Sequence, residues 1–261
     1  MNVDEAVLRF TNAKPPIFKN KPGYETMMKR IQYISRYFLP FGLTLLVLLS
    51  GCEKRFHNLE EFEHYIKSKD SPYVKTIVKN GIRITVRYMP TEAMMIPHYR
   101  RYLRKQKNIN RNTTLNKKQL AEILQKEKTV LKKQEEKYNQ SLYFILNIAY
   151  EDPSKDIIYQ KMQRGFGEYS RWLQKLLFHL KDYIYLQTPT MEEIPLDTYH
   201  LERTYGLRKD RTLLLMFPAE FSNHSLLSPV NRELTMVIKE FGLGVGRLKF
   251  EFELPSMVYV L

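Results

Sequence analysis

The sequence predicts an α+β fold: an antiparallel β-sheet or sandwich, drawn mainly from the C-terminal half plus an early hairpin, with two long helices packed on one side. Three observations lead there. Tyr73 to Tyr88 alternates apolar and polar residues on either side of Asn80-Gly81, a pair that tolerates the positive φ angles of a type I′ turn. Leu115–Tyr138 and a second stretch from Ser154 or Asp156 to about Leu180 repeat apolar residues at helical spacing. From Asp182 onward, short β-rich runs are separated by Pro and Gly, as in antiparallel sheets and sandwiches. Strands and helices grouped in blocks, rather than alternating, argue for α+β over a parallel α/β sheet.

Taken in order, residues 1–27 show little periodicity and carry Pro15, Pro16 and Pro22. We expect them to be a misassigned or disordered prefix, with translation starting at Met27 or Met28. The stretch 28–51 is the most informative in the chain. Lys29, Arg30 and Arg36 form a positive head, and Tyr37–Leu49 is an apolar run of 13 residues. A helix needs about 20 residues to cross a bilayer, and Pro40 and Gly42 weaken a helix further. Charge, apolar run and small residues in that order are those of an export signal.

The run closes on Leu49-Ser50-Gly51-Cys52, which resembles the lipobox of bacterial lipoproteins. The resemblance covers residues 28–52 only. It implies diacylglyceryl attachment to the Cys52 thiol, cleavage between Gly51 and Cys52, and acylation of the new amino group, and two or three acyl chains anchor stably. In many Gram-negative lipoproteins an Asp after the cysteine retains the protein in the inner membrane. Glu53 stands there, which implies the outer membrane.

The whole chain has a net charge of +14. Residues 1–51 hold seven of its 42 Lys and Arg and three of its 28 Asp and Glu, leaving 52–261 at +10. Such a charge attracts nucleic acid, anionic lipid or acidic glycan. Cys52 is the only cysteine. Once lipidated, it leaves no thiol for a disulfide framework or a thiolate metal site.

Residues 52–71 are expected to be a tether, although Leu59, Phe62 and Ile66 also fit a short helix, and 72–261 a single domain. His57 and His64 read as solvated. After the hairpin, with Val74, Ile77 or Val78, Ile82, Ile84 and Val86 on its buried face, Thr91 opens a short helix ended by Pro97. Tyr99–Lys107 is the densest basic patch, and Arg100, Arg101, Arg104, Lys105 and Lys107 are the candidate contacts for an anionic surface. The interleaved tyrosines also allow base stacking, a nucleic-acid reading that export disfavours.

The helix over Leu115–Tyr138 has a thin apolar stripe of Leu120, Ile123, Leu124, Leu131 and Tyr138. Ser141–Ala149 is a central strand. The helix that follows has a broad apolar face, with Trp172 near its edge and Gly165 and Gly167 as points where it kinks. Five strands then follow: DYIYLQ, PLDTYHLERTY, TLLLMF, ELTMVIKEF and GRLKFEFEL.

Catalytic signatures are missing from this pattern. GLGVGR at Gly242–Arg247 leads into a strand, not into the helix a phosphate loop requires. His200 and Glu202, two apart on a strand, share a face and are the one acid–base or metal-ligand pair worth carrying. No HExxH and no GxSxG is present. The sequence therefore points to a non-catalytic, lipid-anchored envelope protein, with no cofactor or metal, that contacts a partner at the membrane surface. The alternatives are an envelope enzyme using His200 and Glu202, and a cytosolic basic protein binding nucleic acid.

Overall fold

A computed structural model describes residues 54–111, 116–203, 208–228, 232–255 and 257–260. The expected prefix, and the stretch read from sequence as an export signal closing on Cys52, lie outside the described residues. The chain divides between Gly51 and Cys52, and everything below concerns the second unit.

Strand β1 (Lys54–Phe56) and helix α1 (Leu59–Lys67) open the fold. The Asn58 side chain starts α1 by accepting from the Glu60 and Glu61 amides at 2.8 and 3.3 Å. Phe56, Phe62 and Ile66 are no more than 2% exposed. The segment expected as a tether is thus part of the core, because its apolar residues at helical spacing have a partner surface to bury against.

The hairpin β2 (Val74–Lys79) and β3 (Ile82–Met89) turns at Asn80 and Gly81, with φ of 53° and 72°. Ile77 faces inward with Ile84, whereas Val74 and Val78, both expected on or near the buried face, lie on the opposite face, Val74 paired with Arg87 and Val78 46% exposed. Helix α2 (Thr91–Met94) is followed at once by α3 (Ile96–Asn110). Pro97 lies in the first turn of α3, where its missing N–H costs nothing, so it begins a helix where the sequence suggested it ended one.

Helix α4 (Lys117–Tyr138) starts with a capping box of Asn116 and Gln119 and runs antiparallel to α3, as the pairs Lys105–Glu127 and His98–Tyr138 require. The central strand β4 (Ser141–Tyr150) follows. The second helical stretch is two helices, α5 (Ile157–Gln163) and α6 (Phe166–Phe178). Gly165 between them has φ 108°, which breaks the backbone direction where the sequence allowed only a kink.

The remaining strands are β5 (Ile184–Gln187), β6 (Glu193–Pro195), β7 (Thr198–Leu201), β8 (Arg211–Pro218), β9 (Glu220–Phe221), β10 (His224–Ser225), β11 (Glu233–Ile238), β12 (Leu248–Glu253) and β13 (Met257–Tyr259). They complete a five-stranded sheet, β2-β3-β4-β8-β7, and a four-stranded sheet, β12-β11-β5-β6. Both are antiparallel, so the fold is α+β with antiparallel sheets, as the sequence predicts.

Alternation puts Val86, Phe144, Leu146, Leu213 and Leu215 on one inner face, and Met236, Phe250, Phe252 and Leu186 on the other. All are at most 1% exposed. The two faces meet where the Phe144 and Phe252 rings lie 5.7 Å apart. Each such side chain contributes about 1.5–3 kcal/mol on burial.

The sandwich has two poles. Near the Tyr88 end of β3 lie the parallel pair β1–β13 and helices α1 to α4. Near the Ile82 end lie α5, α6 and the loop between β11 and β12. Eight residues of β3 separate the poles by about 24 Å.

Candidate anionic-surface site

The basic patch falls on α3, whose inner face is fixed by Tyr99 and Tyr102, each 5% exposed. Tyr99 packs on Tyr259 of β13 with ring centroids 4.8 Å apart, and Tyr259 stacks on Phe62 of α1 at 5.6 Å. Burial pushes both the Tyr99 and Tyr259 phenols up from their ordinary range, so this aromatic floor stays neutral.

With the tyrosines inward, helical geometry turns Arg100, Arg104 and Lys107 (i, i+4, i+7) and the neighbouring Arg101 outward, and all four are exposed. Lys105 falls on another side and is bound to Glu127 of α4. It is a strut of the helical hairpin, not a surface contact. Arg100 pairs with Glu63 of α1, which also holds Lys67. Arg101, Arg104 and Lys107 have no carboxylate within 4 Å among the described residues.

Beside this arc lies an open groove of about 950 Å³. His57 and Asn58 before α1, Leu59 and Glu60 in its first turn, Pro97, Arg100, Leu103 and Arg104 of α3, and Tyr259 and Val260 line it. Leu59, Pro97, Leu103, Tyr259 and Val260 give it apolar surface, and His57, Asn58, Glu60, Arg100 and Arg104 its polar groups. β1, its neighbour, begins two residues after Cys52.

The other sequence candidates are placed less favourably. His200 and Glu202 are exposed at the β7 edge of the five-stranded sheet. The Glu202 carboxylate accepts from Arg208 at 3.4 Å, and Arg208 also binds Asp210. Burial raises the Asp210 carboxyl, but bonds from Arg208 and Asn147 outweigh it and hold the pKa below the ordinary value. His57 precedes the cap of α1, so it does not share a helix face with His64. Among the described residues no cluster of three His, Cys, Asp or Glu could hold a metal. No described helix is long and apolar enough to cross a membrane.

Three residues escaped the sequence reading. Glu240 accepts from the backbone N–H of Gly242, Leu243 and Gly246 at 2.6 Å and of Gly244 at 3.0 Å. The glycine loop is therefore an anion nest filled by the chain's own carboxylate. Lys161, 2% exposed, donates to the Gly242 carbonyl and sits 5.9 Å from the Trp172 ring; burial lowers its pKa. Arg87 on β3 is half-buried, and its Nε is shielded from water without a hydrogen-bond partner among the described residues. Only the first had a visible signal, an acid just ahead of GxGxG.

A domain family of unknown function, DUF4422, matches residues 85–199, from within β3 to β7. The match is a similarity over less than half the chain. A crystal structure of a novel protein of unknown function from Burkholderia pseudomallei K96243 is similar at 9% identity, over 74% of this chain and 85% of that one, with a TM-score of 0.35. No curated protein matches the chain.

Proposed function

We propose that this protein is a lipid-anchored envelope lipoprotein of the outer membrane, acylated at Cys52, that works as a non-catalytic binding or assembly module against the membrane surface. One observation carries this reading: the first described strand, β1, begins two residues after Cys52, on the pole that holds the basic arc of α3. Two residues span at most about 7 Å, within one Debye length of about 8 Å. An acyl anchor at Cys52 would therefore hold β1 at the headgroups, and β13, paired with β1 and packed on Tyr99, places α3 on the same pole, with Arg101, Arg104 and Lys107 turned outward from it.

Each cation near such a surface contributes about 1 kcal/mol, so the three together orient the domain by up to about 3 kcal/mol. The test is hydrogen exchange on the lipoprotein reconstituted into vesicles of phosphatidylcholine with and without phosphatidylglycerol. Residues 96–110 should exchange more slowly in the anionic vesicles, and high salt should remove the difference. Equal exchange in both would refute contact through α3.

A further inference from the structure

The outer face of the five-stranded sheet carries a second feature, independent of the anchor. Register places Val74, Arg87, Ile145, Leu214 and His200 in one row across all five strands. The next row is Thr76, Thr85, Asn147 and Thr212. Thr76 and Thr85 share a hydrogen bond of 2.9 Å, and Asn147 donates to Thr212 Oγ1 at 3.0 Å. These groups are fixed in place and still have lone pairs to offer.

Arg87 is the anomaly on this face. Its Nε is shielded from water without a partner among the described residues, and burial lowers the pKa of the guanidinium. The carboxylates at that end of the face, Glu202 and Asp210, are both taken by Arg208. Arg83, at the far end of β3, lies beside Glu151 and donates to its carbonyl, so the cations left to an anion are Arg87 and His200, whose neighbouring carboxylates are those held by Arg208.

A sheet face presents side chains rather than backbone. An extended peptide binds by adding to a strand edge, so it finds no main-chain partners here. A ligand rich in hydroxyls does find partners in the threonine–asparagine row. At about 4.8 Å per strand, that row is long enough for several sugar units, and Ile145 and Leu214 supply half-exposed apolar surface for sugar C–H faces.

We propose that the outer face of the five-stranded sheet binds an acidic oligosaccharide, with Arg87 taking a carboxylate and the Thr76–Thr85–Asn147–Thr212 row pairing with hydroxyls. The full chain in detergent is titrated calorimetrically with tetragalacturonate, cellotetraose and hexaglutamate. Tetragalacturonate should bind, cellotetraose at least tenfold more weakly, and Arg87→Gln should lose at least tenfold in tetragalacturonate affinity, the scale of a charged hydrogen bond. Arg171→Gln, an exposed cation on α6, should bind as wild type does.

Arg87→Met should keep or raise the melting temperature, since it removes an unpaired cation. No tetragalacturonate binding, binding indifferent to Arg87, or equal affinity for the neutral sugar would overturn the proposal. Arg87-dependent hexaglutamate binding as tight as the glycan's would overturn the saccharide assignment. A clear fall in melting temperature in Arg87→Met would mark the arginine as structural instead.

Discussion

Glu240 organises the loop between β11 and β12, and its removal should be felt mainly as lost stability. Its carboxylate accepts four backbone N–H bonds of 2.6–3.0 Å, from Gly242, Leu243, Gly244 and Gly246. A hydrogen bond to a charged group contributes about 1.5–3 kcal/mol when shielded. The loop is solvated, and water recovers much of that on truncation. Glu240→Ala should therefore cost about 2–4 kcal/mol, and Glu240→Gln about 1–2, because the amide retains one acceptor and turns a donor on the other N–H groups.

The loss should depend on pH in a defined direction. Burial pushes the Glu240 carboxyl up, but the four amides outweigh it and hold the folded pKa below its ordinary 4.5. A depressed carboxylate contributes stability that is fully present above the unfolded pKa and disappears as pH falls through the folded one. Urea unfolding of wild type and Glu240→Gln should thus differ most at neutral pH, and the gap should close below about pH 4.5. No difference at pH 7, or a gap unchanged in acid, would refute the reasoning.

Three further outcomes follow from the packing. Phe144→Ala removes a ring with no exposed surface that touches Tyr88, Phe217 and Phe252; urea unfolding should show a loss of about 3–5 kcal/mol. Gly81→Ala forces an alanine to φ 72° in the hairpin turn, and thermal melting should register about 1–2 kcal/mol of destabilisation. Burial lowers the Lys161 pKa, so it binds fewer protons folded than unfolded as pH approaches its ordinary 10.5, and wild type should gain stability relative to Lys161→Met as pH rises towards 10.5, measured by urea titration at each pH.

Much of the fold is local and therefore legible. Asn80-Gly81 fixes the hairpin through backbone preference alone, and Ser141–Ala149 is apolar enough that only a central strand satisfies it. Lys54–Lys67 is harder, because its strand pairs with residues 203 positions away at Met257–Tyr259. The same separation hid the roles of single charges. Arg87 looks like any outward residue of an alternating strand until β2 and β4 flank it with Val74 and Ile145. Lys105 belongs to the basic patch in sequence, but the turn back into α4 brings Glu127 against it. Of the five cations singled out on α3, four face solvent, and three of those carry no carboxylate partner among the described residues.

The central claim is the anchor at Cys52, and detergent phase partitioning with intact mass tests it most directly. Wild type should enter the detergent phase at the mass of residues 52–261 plus acyl chains, while Cys52→Ala stays unprocessed. If both proteins retain residues 1–51 and partition alike, the protein is not a lipoprotein, and the placement of the α3 arc at a membrane falls with it.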